Sequence, residues 1–191
     1  IIARQDEFIE AEIADTGKSL QQVQSIDIPR GSANFRAFAD MVKNHSGETF
    51  ITEMPNGVKA LNYSINKPLG VVAVISPWNL PLLLATWKVA PALACGNSVI
   101  LKPSEETSST AFLLAQVIDE VGIPKGVFNL ILGRGSKVGD LLTRHQGVDA
   151  VTFTGASSTG QHIMSAVSAG VKPISFELGG KNSAVVFADA D

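Results

Sequence analysis

One apolar run constrains the fold more than any other part of the sequence. The five residues Val71–Ile75 are all apolar, and three of them are valine. Such a run predicts a strand buried on both faces, as in the interior of a parallel sheet. Ser76 and Pro77 end the strand, because proline has no N–H and restricts the residue before it. Trp78 and Asn79 therefore follow the carboxyl end of the strand, where open α/β sheets bind ligands.

Strands and helices alternate along the rest of the chain. Further runs of strand length follow the first, at Ser98–Lys102, Val127–Leu132, Ala150–Thr154, Ile174–Glu177 and Ala184–Phe187. Helical patterns fill the gaps, at 82–94, 108–121, 136–143 and 160–169. This alternation predicts an α/β fold with a doubly wound, Rossmann-like parallel sheet and right-handed crossovers.

The first 68 residues have a different character. Helical spacing predicts one helix up to Thr16, with Gly17 as its left-handed stop, and a second over 20–45 with a kink at Pro29. Alternating strands around a Pro-Asn-Gly turn predict a β-hairpin, which needs another sheet or subunit to pair with. We therefore expect N-terminal helices at 1–46, a hairpin arm at 47–68 and a nucleotide-binding α/β domain at 69–191.

Composition excludes several classes of partner. The net charge of −3 gives no reason to expect nucleic acid or an anionic membrane. The apolar segment 69–96 is interrupted by prolines, Asn79 and Lys88, which argues against a membrane span.

One cysteine rules out an internal disulfide and fits a reducing compartment. The three histidines lie far apart in sequence, so we expect no metal site. Because Ile1 falls inside an apparent helix, we expect the chain to be a fragment.

Asn79 is the first candidate catalytic residue. An amide held between two prolines could donate a hydrogen bond to a developing oxyanion. The alternative is a proline-rich turn with a solvated asparagine.

A cation and a carboxylate follow the second strand of the predicted sheet. Lys102 and Glu105 suit a ribose, and the carboxylate would repel a 2′-phosphate, which favours NAD over NADP. Alternatively, Ser104 with a nearby acid could cap the following helix.

Two glycine-rich turns are candidates for binding phosphate. The stretch 153–160 joins a strand to a helix, so its free N–H groups could hold a pyrophosphate. The stretch 133–139 is also rich in glycine. Neither matches G-x-G-x-x-G, and each is weak support alone.

Three more residues have a chemical and a structural interpretation. Glu177, among apolar residues and glycines, could act as a general base, or it could form an ion pair with Lys181. Arg30 directly follows Pro29, and its plainer interpretation is a solvated arginine at a helix kink. Cys95 ends an apolar helix without an accompanying base, so we expect a buried packing residue.

These motifs occur in the order seen in the NAD(P)-dependent aldehyde dehydrogenase superfamily. The segments that carry the resemblance are 77–81, 92–97, 102–105, 153–155 and 176–181. The N-terminal third also resembles that family, and the stretch 27–35 is similar to its 2-hydroxymuconic semialdehyde dehydrogenase branch.

The resemblance implies a role for each candidate residue. Asn79 would donate to the oxyanion, Glu177 would be the general base, and Arg30 would hold a substrate carboxylate. Lys102 and Glu105 would hold the adenosine ribose, and the turn after Gly155 the pyrophosphate. The full set expected to bind NAD is Ile75, Ser76, Pro77, Trp78, Lys102, Ser104, Glu105, Gly135, Phe153, Thr154, Gly155, Ala156, Thr159 and Leu178.

The resemblance also implies what the chain lacks. The nucleophilic cysteine of the family belongs to a following domain, so we expect the chain alone to be inactive. Ala156 stands where many members carry a serine, and Thr159 where a branched apolar residue is usual. These differences affect the details of pyrophosphate contact rather than the fold.

The implied parent is a cytoplasmic homodimer or homotetramer. It would oxidise a carboxylate-bearing semialdehyde from aromatic meta-cleavage catabolism to the acid, with NAD. The alternatives are a non-catalytic nucleotide-binding or scaffold module, and an aldehyde dehydrogenase of another specificity, such as for betaine aldehyde.

Overall fold

The computed structural model describes residues 1–190, which begin with helices. A short 3₁₀ turn at Ile2–Arg4 leads into α1 (Gln5–Thr16), and Gly17 ends α1 with a φ of 70°. This left-handed cap confirms the predicted stop. Next come α2 (Leu20–Gln22) and α3 (Ile28–Lys43).

The link between α2 and α3 is a π-helical turn, Val23–Asp27. The N–H of Ile28 donates to the carbonyl of Val23, five residues earlier. Pro29 follows as one of the first residues of α3, where its missing N–H costs little. The predicted second helix is therefore present, but a wider turn before Pro29 takes the place of a simple kink, and α3 ends before His45.

The predicted hairpin forms a separate two-stranded sheet. Its strands, β1 (Thr49–Glu53) and β2 (Lys59–Tyr63), pair antiparallel. The turn between them relies on Gly57, which has a φ of 77°. Phe50 and Tyr63 are both exposed, so the hairpin presents apolar surface to its surroundings.

A five-stranded sheet of parallel strands forms the centre of the fold. Its strands are β3 (Val71–Ile75), β4 (Ser98–Lys102), β5 (Phe128–Leu130), β6 (Ala150–Gly155) and β7 (Ile174–Leu178). The helices between them are α4 (Pro81–Ala94), α5 (Ser109–Glu120), α6 (Asp140–Arg144) and α7 (Ser157–Ser168), with a π-helical turn at Gly135–Gly139 before α6. The order is β5-β4-β3-β6-β7, which confirms the doubly wound sheet. The strand order reverses between β3 and β6, and ligands bind at such switch points.

Each face of the sheet carries a hydrophobic core. One core joins the sheet to α1, α3, α4 and α5, and it includes Phe8, Ile28, Val74, Leu82 and Leu101. The second core, on the other face, includes Ala73, Ile75, Leu142, Phe153 and Ile163. Burial on both faces is what the unbroken apolar run of β3 predicts.

The predicted strand Ala184–Phe187 is wrong, because that segment is not a strand in the structure. A strand is held by hydrogen bonds to a neighbouring strand and by burial of a face. Here β7 is the last strand of the sheet, and Val185, Val186 and Phe187 are 75%, 81% and 73% exposed. The apolar run therefore has β propensity but no partner within the described residues.

Within residues 1–190, none of the helices is long and apolar enough to cross a membrane. No cluster of His, Cys, Asp and Glu suited to a metal ion occurs in the same range.

Candidate active site

Parallel pairing brings the predicted site residues to one edge of the sheet. Ile75, the last residue of β3, pairs with Lys102 of β4 on one side and Phe153 of β6 on the other. Thr154 pairs with Glu177 of β7. Because all these strands are parallel, their carboxyl ends and the loops that follow share this edge.

Lys102, Glu105 and Gly135 form a connected cluster beyond β4. The Lys102 ammonium is buried, and it lies 2.9 Å from the carbonyl of Pro103 and 3.3 Å from Glu105 Oε2. The N–H of Gly135 lies 3.3 Å from both carboxylate oxygens of Glu105. The pKa of Glu105 falls below its usual range, first because the carboxylate accepts from its own backbone N–H, and then because of Gly135 and Lys102. The carboxylate is held ionised at the sheet edge.

The structure does not support Ser104 as a helix cap. Helix α5 begins at Ser109, and its N-cap residue Ser108 makes no side-chain cap. Ser104 Oγ instead accepts from the N–H of Glu106 at 3.3 Å, which closes a local turn. Ser104 therefore shapes the loop that carries Glu105.

The turn after β6 has the geometry of an anion site at the start of α7. The N–H of Gly160 makes the first helical bond, to the carbonyl of Ala156, so the N–H groups of residues 157–159 have no partner within the helix. Gly155 lies close to a core ring here, because a Cβ on it would lie 2.5 Å from the Phe153 ring. Gly160 similarly faces Leu178, since a Cβ on this glycine would lie 2.7 Å from Leu178 Cδ2. Thr159 and Ala156 are exposed beside this turn.

Two buried hydroxyl groups lie beside this edge. Ser76 Oγ, directly after β3, and Thr154 Oγ1, near the end of β6, have no hydrogen-bond partner in the part of the chain that the structure describes. Buried polar groups are normally hydrogen-bonded, so we expect a polar group from outside these residues to bond to the two hydroxyl groups. Hydroxyl groups, an ion pair and free N–H groups near one edge of the sheet suit the ribose and phosphate oxygens of a nucleotide.

Asn79 lies in an open turn between β3 and α4. Its side chain is exposed, as is that of Trp78, and it makes no hydrogen bond within residues 1–190. Pro81 starts α4 directly after the turn. The amide is therefore free to donate to a ligand, while the geometry also fits a solvated asparagine.

Glu177 differs from its expected surroundings. It is exposed rather than enclosed by apolar groups, and no ion pair joins it to Lys181 in the described chain. Alternate residues of a strand face opposite sides, and on β7 the flanking Phe176 is the residue packed into the core. An apolar sequence context was a poor guide to the environment of this side chain.

Lys88 is a functional candidate that the sequence interpretation missed. The side chain is buried in α4, with its ammonium 3.1 Å from Thr152 Oγ1. Burial lowers the pKa of Lys88, and the negative charge of nearby Glu177 opposes that effect. The sequence did contain an indication of this role, because Lys88 is the sole charged residue in the α4 sequence. The buried ammonium of Lys88 lies close enough to the candidate base for their charges to interact.

A groove of about 1100 Å³ opens beside this pair. Lys88, Glu177, Trp87 and Cys95 are among its lining residues. The prediction that Cys95 is a buried packing residue was wrong, because it is exposed just past the end of α4. A helix terminus leaves one side of its last turn uncovered, which the apolar sequence around Cys95 does not reveal.

Arg30 lies on α3, apart from the cluster of Lys102, Glu105 and Gly135. Its side chain is exposed, without an ion pair to any of residues 1–190. The next residue, Gly31, packs so closely on α4 that a Cβ there would lie 3.0 Å from Leu82 Cγ. Asn34 strengthens this contact by donating to the carbonyl of Leu83 at 3.2 Å. The turn that carries Arg30 is thus fixed beside the start of α4, which follows Asn79.

Comparison with known proteins gives consistent matches over this chain. The profile of the aldehyde dehydrogenase family matches residues 1–191. The chain is 60% identical to 2-aminomuconic 6-semialdehyde dehydrogenase from a Pseudomonas species, over 98% of this chain and 38% of that protein. It is 56% identical to 2-hydroxymuconic semialdehyde dehydrogenase from Pseudomonas sp. (strain CF600), over 100% of this chain and 40% of that protein.

Solved structures agree with these matches. The crystal structure of betaine aldehyde dehydrogenase from Staphylococcus aureus in complex with NAD⁺ superimposes with a TM-score of 0.89 at 42% identity. That alignment covers 99% of this chain and 37% of the other. This chain therefore spans about two fifths of the length of the relatives it matches.

Proposed function

The chain belongs to the aldehyde dehydrogenase family, and from that premise we propose that its parent protein oxidises a carboxylate-bearing semialdehyde to the acid with NAD. The observation that carries the proposal is the shared sheet edge. Lys102, Phe153 and Glu177 lie at or near the carboxyl ends of parallel strands there, and Glu105 follows β4. The activities of the two semialdehyde dehydrogenases above support the substrate class.

The cofactor residues have separate roles in this proposal. The Glu105 carboxylate accepts from the ribose hydroxyls and Lys102 donates to them, while the N–H groups at the start of α7 bind the pyrophosphate. The other proposed contacts are the rest of the predicted set: Ile75, Ser76, Pro77, Trp78, Ser104, Gly135, Phe153, Thr154, Gly155, Ala156, Thr159 and Leu178. Bound NAD would supply the hydride acceptor.

The catalytic residues act around the aldehyde carbon. The nucleophile would be a cysteine thiolate from the part of the parent that this chain does not include. Asn79 donates to the oxygen that gains charge when the thiolate attacks. Glu177 then takes a proton from the water that releases the acid.

The test of this function uses the full-length parent with NAD, and NADH formation as the readout. Three substrates separate the possibilities: a semialdehyde with a remote carboxylate, a neutral aldehyde of similar length, and betaine aldehyde. The proposal expects the highest kcat/KM for the first. The absence of NADH with all three would instead support a non-catalytic module, and preference for betaine aldehyde would support the other specificity.

Replacement of Arg30 tests the substrate class directly. We expect Arg30→Ala to lower kcat/KM for the carboxylate substrate by about ten- to a hundred-fold, since a charge-assisted contact contributes roughly 1.5–3 kcal/mol. A neutral aldehyde should be nearly unaffected, and Arg30→Lys should recover only part of the loss. Steady-state kinetics with both substrates measures the difference.

Arg36 provides the matched control for Arg30. It is another exposed arginine on α3, so Arg36→Ala should leave kcat/KM for both substrates at the wild-type value. An equal loss with both substrates in Arg30→Ala would make Arg30 a structural residue.

Replacement of Glu105 tests cofactor choice. In the parent enzyme, Glu105→Gln removes the charge that would repel a 2′-phosphate, so discrimination against NADP should relax by roughly 1.5–3 kcal/mol. The measurement is the ratio of kcat/KM for NAD to that for NADP. The neighbouring exposed acid gives the control, Glu106→Gln, which should keep the wild-type ratio. An unchanged ratio in Glu105→Gln would refute this role.

Assembly and location complete the proposal. The exposed apolar surface of the hairpin at 47–68 supports pairing with another subunit, in a homodimer or homotetramer. The proposed domains keep the boundaries predicted from the sequence: helices at 1–46, the hairpin arm at 47–68 and the nucleotide-binding domain at 69–191.

A single exposed, free cysteine supports a reducing compartment, and we propose the cytoplasm.

A further inference from the structure

Glu12 is a buried carboxylate that none of the roles above uses. It projects from α1, and the residue is 0% exposed. Glu12 Oε2 accepts from the N–H of Leu82 at 3.3 Å, in the first turn of α4. The contact joins residues 70 positions apart in the sequence. A buried carboxylate needs such partners, because burial of an unpaired charge is costly.

The start of α4 has few other means of satisfying its N–H groups. Leu80, its N-cap residue, makes no side-chain cap, and Pro81 has no N–H to satisfy. Leu84 makes the first helical bond, to the carbonyl of Leu80. Glu12 therefore provides from another helix the acceptor that a Ser or Asp N-cap normally provides locally.

The surroundings of Glu12 favour a fixed carboxyl group that is partly uncharged near neutral pH. Burial raises the pKa of Glu12 to about 7, the Leu82 N–H and the Lys18 charge oppose that effect, and the Asp27 charge adds to it. Asp27 is itself ion-paired with Lys18. Glu12 Oε1 has no hydrogen-bond partner in the part of the chain that the structure describes.

The helix turn that Glu12 holds is the one that follows Asn79. Only Leu80 and Pro81 separate Asn79 from Leu82, and prolines on both sides of the loop limit its freedom. Asn34 fixes the same turn from α3. We propose that Glu12 is a positioning residue, which anchors the first turn of α4 and thereby sets the direction of the Asn79 amide. This inference rests on the oxyanion role of Asn79 in the proposed function.

The test compares three replacements of Glu12 in the full-length parent. Glu12→Ala removes the acceptor, and Glu12→Asp withdraws it by one methylene, so both should lower kcat roughly tenfold, because small displacements of a catalytic group are costly. Glu12→Gln keeps an acceptor oxygen and resembles the uncharged acid, so it should retain most of the wild-type kcat. The KM for NAD should stay near its wild-type value in all three. Glu7→Ala is the matched control, since Glu7 is an exposed acid on the same helix, and it should have wild-type kcat.

A second readout does not depend on activity. Hydrogen exchange at the Leu82 amide should become about tenfold faster in Glu12→Ala and Glu12→Asp, as for a lost helix cap, and stay unchanged in Glu12→Gln and Glu7→Ala. Folded Ala and Asp variants with wild-type kcat, or a Gln variant as impaired as the Asp variant, would overturn the proposal. If Glu12→Ala does not fold, the kcat and the Leu82 exchange rate of Glu12→Asp and Glu12→Gln test the proposal. A wild-type parent without aldehyde oxidation would refute the proposed function, whereas the exchange data would still judge the Glu12 contact.

Discussion

Replacement of Glu177 by glutamine should reduce the steady-state kcat of the full-length parent by roughly 10²- to 10⁴-fold, the usual contribution of a general base. The amide keeps the shape of the side chain but cannot accept a proton from water. Its position supports the role, because Glu177 is exposed near the end of β7 and beside buried Lys88. Release of the acid should therefore become the slow step.

The time course distinguishes this role from others. Because the base acts after hydride transfer, Glu177→Gln should still produce a burst of NADH in the first turnover, followed by a slow steady phase. Rapid-mixing absorbance of NADH measures both phases. Asp119→Asn, which changes an exposed acid on α5, should behave as wild type. Loss of the burst would show that Glu177 acts before or during hydride transfer.

Replacement of Asn79 should slow an earlier step. Removal of one donor to an oxyanion typically lowers the rate by about 10²- to 10³-fold, so we expect Asn79→Ala to reduce kcat by that amount. Asn79→Asp should be at least as impaired, since a carboxylate of similar shape repels the negative oxygen. In contrast with Glu177→Gln, the burst itself should become slow in both variants.

Asn44→Ala is the control for Asn79, since Asn44 is an exposed asparagine at the end of α3. It should leave the burst and the steady phase unchanged. A wild-type burst rate in Asn79→Ala would favour the plainer interpretation, a solvated asparagine in a proline-rich turn.

The parallel sheet was predictable because its signals are local. Val71–Ile75 is apolar throughout, and β3 is buried on both faces as expected. Once the strands were identified, their parallel order placed Lys102, Phe153 and Glu177 at one edge without any further information. The alternation of strands and helices thus predicts the shared edge, but not the contact between Glu105 and Gly135.

The side-chain environments were less predictable because they depend on distant contacts. Glu12 reaches a helix that begins almost 70 residues later, and no local pattern indicates that partner. Lys88 is buried and donates to Thr152 of β6, 64 residues later, and Glu177 is exposed although its neighbours in sequence are apolar. The wrong strand at Ala184–Phe187 has the same cause, since strand propensity does not reveal whether a partner strand is present.

The π-helical turn at Val23–Asp27 changes how sequence positions correspond to directions around the helix. A regular α-helix advances about 100° per residue, so residues five apart would point in different directions. Here Val23 and Ile28, five apart, are both buried. The turn thus acts as a one-residue insertion and rotates everything after it, Arg30 included, relative to α2. In a relative without this insertion, the residue with the direction of Arg30 would stand one place earlier in the chain. Positions after the turn should therefore be compared between such relatives by helix face rather than by residue count.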